Sequence, residues 1–227
     1  MQISNTAELA EGFGRKVRNL VDSGEYKKIF PDVELRTDSK AAGRWNTNYN
    51  GEYFASGVGG TVTGRGADLL IIDDPHSEGE AVQAQFNPDI YDKVFEWYTS
   101  GPRQRLQPGG AIVIVMTRWS LRDLTGQVLE AAAQHGGDTW EVIEFPAILP
   151  SGRPLWPEFW SYDELDAIRK ELPNGKWMAQ YQQEPTSESN AIVKRDWWNT
   201  WPHDRPPQVD FIIMAMDTAF EKKTSAD

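Results

Sequence analysis

The sequence predicts an α/β protein. Three apolar runs carry that expectation: residues 67–72 (Ala-Asp-Leu-Leu-Ile-Ile), 111–116 (Ala-Ile-Val-Ile-Val-Met) and 211–216 (Phe-Ile-Ile-Met-Ala-Met). Each is short, rich in β-branched residues and closed by a polar residue, which is the pattern of a strand buried on both faces, as in a parallel sheet. Helix-period stretches separate them, and strands alternating with helices define α/β architecture.

In chain order, Asn5-Thr6 offers caps for a first helix with an apolar face of Leu9, Phe13, Val17, Leu20 and Val21, ending near Gly24. Residues 52–63 read as short strands around Gly57, Gly59 and Gly60. The run 67–72 stops at Asp73-Asp74-Pro75. A polar helical stretch follows, with Val82, Phe86, Ile90, Val94 and Trp97 or Tyr98 along one side, ended by Gly109-Gly110 before the second strand. Ser120-Leu121-Arg122-Asp123 and Ser161-Tyr162-Asp163-Glu164 are capping-box sequences. The first opens a helix with Leu121, Leu124, Val128 and Leu129 on one face. The second opens one with Leu165, Ile168 and Leu172. Residues 142–145 form a short strand candidate, and Asn174 a cap for a helix carrying Trp177, Met178 and Tyr181. Polar residues 184–190 and the Pro-rich stretch 202–207 read as an interdomain connector. There are no internal repeats.

A net charge of −11 argues against broad coating of nucleic acid, which needs many cations facing phosphates, although charge can be sorted between faces. Residues 68–96 alone hold eight acids against one lysine. The chain has no cysteine, hence no disulfide and no thiolate zinc site. Its apolar runs are too short to span a bilayer, and residues 1–11 lack a signal-peptide pattern. A cytoplasmic protein without a membrane association is expected. Seven of ten tryptophans fall between Trp140 and Trp201, and core packing with amphipathic surface anchoring is the reading for most of them.

The strongest chemical signal is Leu69-Leu70-Ile71-Ile72-Asp73-Asp74. In P-loop ATPases a hydrophobic strand delivers an Asp that helps to hold nucleotide-bound Mg²⁺, and an adjacent carboxylate orients the attacking water. Taken alone, the hexapeptide fits as well a strand that ends in an Asp-Asp-Pro turn with its side chains capping backbone N–H groups. The histidines, His76, His135 and His203, lack metal-ligand spacing, and His76 reads as a surface-loop residue.

The neighbouring motifs add to this: Gly57-Val58-Gly59-Gly60, Thr63-Gly64-Arg65-Gly66-Ala67-Asp68, Arg105-Leu106-Gln107-Pro108-Gly109-Gly110 and Met116-Thr117-Arg118-Trp119. With Phe13-Gly14-Arg15-Lys16-Val17-Arg18, Leu155-Trp156-Pro157-Glu158 and Trp177-Met178-Ala179-Gln180-Tyr181-Gln182-Gln183, their order resembles the large terminase subunits of tailed phages and prophages. The likeness runs over nearly the whole chain.

The resemblance implies a partial P-loop (ASCE-type) ATPase sheet with a helical lid region over residues 1–185, a linker over 186–209, and the first strand of an RNase H-like nuclease domain at 210–227. It implies that Asp73 is the Walker B aspartate, a cofactor and metal ligand for ATP with Mg²⁺, and that Asp74 is the catalytic carboxylate. That position is usually Glu, and Asp is one methylene shorter. It implies further that Thr117 couples hydrolysis to movement, and that Arg65 acts in trans on a neighbouring subunit's γ-phosphate; a salt-bridged arginine in a glycine turn is the equal alternative. Asp217 resembles the first catalytic, metal-binding acid of a nuclease site using Mg²⁺ or Mn²⁺. The implied partners are double-stranded viral DNA, the portal protein, the small terminase subunit and further copies in a homo-oligomeric ring, in the host cytoplasm.

Two departures accompany the likeness. No Gly-x-x-x-x-Gly-Lys-Ser/Thr phosphate loop exists in the sequence, and the one Gly-Lys pair, Gly175-Lys176, follows no strand. Only one acid of the nuclease set, Asp217, is present. A chain truncated at both ends, or the product of a split or degraded gene, is therefore expected, inactive by itself. A stand-alone metal-dependent nuclease using Asp73, Asp74 and Asp217, and a non-catalytic prophage remnant, are the alternatives.

Overall fold

Residues 1–186 are described in a computed structural model. The run 211–216, Asp217 and all but the first residue of the linker lie outside them. A six-stranded sheet runs in the order β2-β3-β4-β1-β5-β6. Its strands are β1 (Gln2–Ser4), β2 (Leu35–Lys40), β3 (Arg44–Thr47), β4 (Glu52–Gly57), β5 (Ala67–Asp73) and β6 (Leu106–Val115). β4, β1, β5 and β6 are parallel neighbours, whereas β2, β3 and β4 form an antiparallel meander. The sheet is therefore mixed, not wholly parallel as expected, and the α/β class holds. The sequence reading missed β1 to β3 because they are short and carry no sustained apolar alternation.

Helix α1 (Ala7–Val21) is capped by Thr6, whose hydroxyl accepts from the Leu9 N–H at 3.3 Å. Its buried face keeps only Val21 of the expected set. Ala10, Gly14 and Val21 face the sheet, while Leu9, Val17 and Leu20 are exposed. Small residues win because α1 lies close on β4: a Cβ at Gly14 would collide with the Tyr53 ring and the Ala42 carbonyl. Tyr53 donates from its hydroxyl to the Ala10 carbonyl at 2.8 Å, and Trp45 donates from Nε1 to that of Gly14 at 3.1 Å. A short helix α2 (Gly24–Ile29), capped by Ser23, follows.

The helical stretch after β5 is two helices, α3 (Glu78–Ala84) and α4 (Asp89–Ser100). Pro88 breaks it, since proline lacks the N–H that a helix interior needs. Val82 and Phe86 are consequently exposed, and Tyr91, Val94 and Tyr98 are the buried residues of α4. The helix ends at Ser100, well before Gly109-Gly110, and those glycines lie inside β6. There they serve a bulge: the pairing jumps from Ala67–Leu106 to Leu69–Ala111, and Gly109 takes φ +79°.

Helix α5 (Leu124–His135) starts at Leu124 with Asp123 as its cap, so Ser120 opens a turn and not the helix. The Ser161 capping box is present as expected at α6 (Tyr162–Glu171). Asn174 makes no cap; Pro173 precedes a short helical turn that runs into a π-turn, Trp177–Tyr181, closed by Gln182 N–H to the Trp177 carbonyl at 3.1 Å. Residues 142–145 form no strand with any described segment: Phe145 N–H donates to the Gln183 side chain, and no described strand pairs with them.

The core lies on one face of β1, β5 and β6, where Ile3, Leu70 and Ile72 pack on Tyr98 of α4 and Leu124 and Val128 of α5. α1 covers the other face over β1 and β4, and also touches β2 and β3. Over β5 and β6 that face is open, with Leu69, Val113 and Val115 at 45 %, 43 % and 53 % exposure. These strands are thus buried on one face, not on both.

Candidate active site at the strand ends

One transverse row crosses the parallel strands at their carboxyl ends. Gly57 pairs with Ser4, Ser4 with Asp73, and Asp73 with Val115. In open α/β sheets this edge is where ligands bind. Because residues aligned across a sheet share a face, Asp73 belongs to the open face that carries Leu69. Burial, and then the neighbouring Asp74 carboxylate, push the Asp73 carboxyl above its usual range. Ser4 is fully buried in the same row, and its hydroxyl has no protein partner.

Asp74 turns the chain. Its backbone takes φ +40°, its N–H donates to the Val115 carbonyl at 2.8 Å, and its Oδ1 accepts from the Thr117 N–H at 2.9 Å. The ends of β5 and β6 are thereby joined through one residue. The loop beyond is held in turn: Asn5 Nδ2 donates to the Pro75 carbonyl and to Glu80 Oε2, and the same Oε2 accepts from the Ser77 N–H at 2.7 Å and hydroxyl at 2.8 Å.

Two residues that sequence reasoning undervalued lock the neighbouring segment. Asp123 is fully buried and accepts from Arg118 Nε, the Trp119 N–H and the Gly126 N–H, each at 2.9 Å, and from the Ser120 N–H at 3.2 Å. A buried carboxylate with this many donors is satisfied. Its position before the apolar Leu124 was the available signal for a cap. His76 is 3 % exposed, contrary to its reading as a surface-loop residue. Its Nε2 accepts from the Leu124 N–H at 3.0 Å, its ring meets Tyr91 edge-on, and Nδ1 is buried without a partner. Burial holds the His76 pKa below the ordinary value, against the opposing influence of Asp123 and Glu80.

Asp73, Asp74 and Thr117 are thus brought together. Arg65 is not brought to them. It pairs with Glu52 at 2.7 Å and lies over the Phe54 ring, ahead of the amino end of β5. The seven residues of β5 separate that end from Asp73, about 20 Å at strand rise. Gly175-Lys176 sits in the helical turn before Trp177 and lines a small hollow with Trp119 and Ser120.

Asp73, whose carboxyl burial and then Asp74 push up, and the buried Ser4 hydroxyl share one row of the sheet. No group of three or more His, Cys, Asp or Glu suited to a metal occurs among the described residues, and no described helix is long and apolar enough to cross a membrane. No protein-family model matches the chain, and no curated protein matches it in sequence.

Proposed function

We propose that this chain carries the hydrolytic strand ends of a terminase-like ATPase motor. The observation that supports it is the join between Asp74 and Thr117, which fixes an Asp-Asp pair to the end of a parallel neighbour strand. In this reading Asp73 holds Mg²⁺ with the nucleotide, and the ion supplies neutralisation of phosphate charge. Asp74 uses its other carboxylate oxygen to orient and deprotonate water. Thr117, bonded to Asp74 through its own backbone, reports the state of that carboxylate to the segment running through Arg118 to α5. A shift of Asp74 then pulls on the Arg118–Asp123 pair.

The phosphate-cradling loop is not among these 227 residues, so the reading requires it from elsewhere. DNA packaging, with double-stranded viral DNA as substrate, Arg65 acting across a homo-oligomeric ring, portal and small-subunit partners, a host-cytoplasmic location and metal-dependent cleavage through Asp217, follows only from the motif order. The deciding experiment measures ATP hydrolysis by a protein containing this chain together with a phosphate loop. Asp73→Ala and Thr117→Pro, which deletes the N–H bonded to Asp74, are both expected to abolish turnover. Normal turnover in either variant overturns the assignment.

A further inference from the structure

The segment leading into α6 is exposed throughout. Every residue from Leu155 to Glu164 is exposed, and five of these are large and apolar or aromatic: Leu155, Trp156, Phe159, Trp160 and Tyr162. Trp156 and Phe159, at 60 % and 62 % exposure, stack with ring centres 5.0 Å apart, and Trp160 meets Phe159 edge-on at 5.5 Å. Single exposed apolar residues are ordinary in proteins, whereas a contiguous cluster marks an interaction surface. Trp177, by contrast, is buried in the core.

The cluster is held from both sides. Ahead of it the chain doubles back, with an antiparallel bridge between Ile148 and Pro154 and the Leu155 N–H donating to the Ala147 carbonyl at 2.9 Å. That turn is fastened to the π-turn. Ala147 N–H donates to the Tyr181 carbonyl at 2.7 Å, and the Gln182 side chain accepts from the Ile148 N–H and donates to its carbonyl, each at 3.0 Å. Within the cluster the Trp156 carbonyl accepts from the Phe159 and Trp160 N–H groups. Behind it, Ser161 and Glu164 form the cap of α6. Rings presented on a backbone fixed in this way lose little freedom on binding, which favours association.

Charge selects the partner. Residues 154–168 include Glu158, Asp163, Glu164 and Asp166 and no lysine, arginine or histidine. The nearest bases along the chain are Arg153 and, in the last turn of α6, Arg169 and Lys170, the latter already paired with Asp166. Carboxylates beside exposed rings repel phosphates, which makes nucleic acid and anionic lipid poor occupants. They favour a cation, and the π face of tryptophan attracts the same charge. Arginine satisfies both groups, because its planar guanidinium stacks on rings and its fork of donors matches a carboxylate. We propose that Trp156, Phe159 and Trp160, with Glu158 and Asp163, form a docking surface for an arginine-bearing segment of a partner protein.

The test uses the full chain and a labelled synthetic peptide of alternating Arg and Gly, read by fluorescence anisotropy at physiological ionic strength. The arginine peptide is expected to bind at least about fivefold more tightly than a lysine peptide of equal charge, and a glutamate peptide is expected not to bind. Trp156→Ala and Phe159→Ala should each weaken the arginine peptide about tenfold, and Glu158→Gln about threefold. Melts should stay unchanged, because all three side chains are exposed. Should an alanine variant lower the melt, Trp156→Phe, which keeps a ring and should keep most of the binding, and Glu158→Gln decide the matter. No binding of the arginine peptide, equal affinity for the lysine peptide, or binding that survives both Trp156→Ala and Glu158→Gln overturns the proposal. In the last case attraction to the net charge of −11 is the whole effect. Trp156-dependent binding of phosphatidylserine vesicles or single-stranded DNA, or Trp156-dependent self-association in sedimentation, overturns it as well, since the occupant is then a membrane, a nucleic acid or a second copy of this chain.

Discussion

Asp74 and Thr117, 43 residues apart, are joined by a 2.9 Å hydrogen bond from the Thr117 N–H to Asp74 Oδ1. This bond makes the turn after β5 depend on the end of β6, and it separates two roles of one side chain. Asp74→Asn keeps the acceptor and a residue tolerant of φ +40°, so stability should change by less than about 1 kcal/mol. Asp74→Ala loses both and should cost about 1–3 kcal/mol. In a protein able to hold nucleotide, Asp74→Asn should still bind ATP while hydrolysis falls by about 10²–10⁴-fold. Thermal melts and phosphate release check the two halves separately.

By itself, the purified chain is expected to release no phosphate from ATP in an Asp73-dependent manner, since its sequence holds no Gly-x-x-x-x-Gly-Lys-Ser/Thr motif. Asp73→Asn should raise the melting temperature at neutral pH, because it removes a carboxylate that burial and Asp74 both disfavour in its charged form. A lower melting temperature for Asp73→Asn would contradict the electrostatic account.

His76 predicts a pH dependence. Its folded pKa lies below the usual 6.5, so between the two values the unfolded chain binds more protons. The contribution to stability is full above about pH 6.5 and is lost as pH falls toward and through the lowered value. His76→Gln keeps an acceptor for the Leu124 N–H but cannot titrate. Melting temperatures taken from about pH 7 to about pH 5 should fall less steeply in that variant than in the wild type.

Arg65 sits partly exposed against Glu52, a setting in which ion pairs contribute at most about 1 kcal/mol. Arg65→Ala should therefore leave the fold intact. If Arg65 acts across a subunit boundary, activity should fall only in the assembled ring. Mixing Arg65→Ala with Asp74→Asn subunits should restore part of it at mixed interfaces, and no recovery at any mixing ratio would remove the trans role.

The role proposed for Asp217 predicts that Asp217→Ala in a protein with a complete nuclease domain abolishes DNA cleavage with Mn²⁺ and spares ATP hydrolysis. Two-metal chemistry requires converging carboxylates, so wild-type cleavage in that variant would move the site elsewhere.

Periodicity alone determined the strands ending at Asp73 and near Met116, the helices begun by Thr6 and Ser161, and the acidic pair at a strand end. These features depend on local backbone preference and on residues a few positions apart. Tertiary structure decided which faces were covered. The first helix turned Ala10 and Gly14 inward instead of Leu9 and Leu20, because close approach to Tyr53 admits only small residues. His76 and Asp123 became buried partners of one helix start because the loops after β5 and β6 meet there, 47 residues apart in the chain. No window of sequence contains both. The join of Asp74 to Thr117 is of the same kind: parallel pairing of β5 with β6 creates it, and parallel strands meet only through a long crossover.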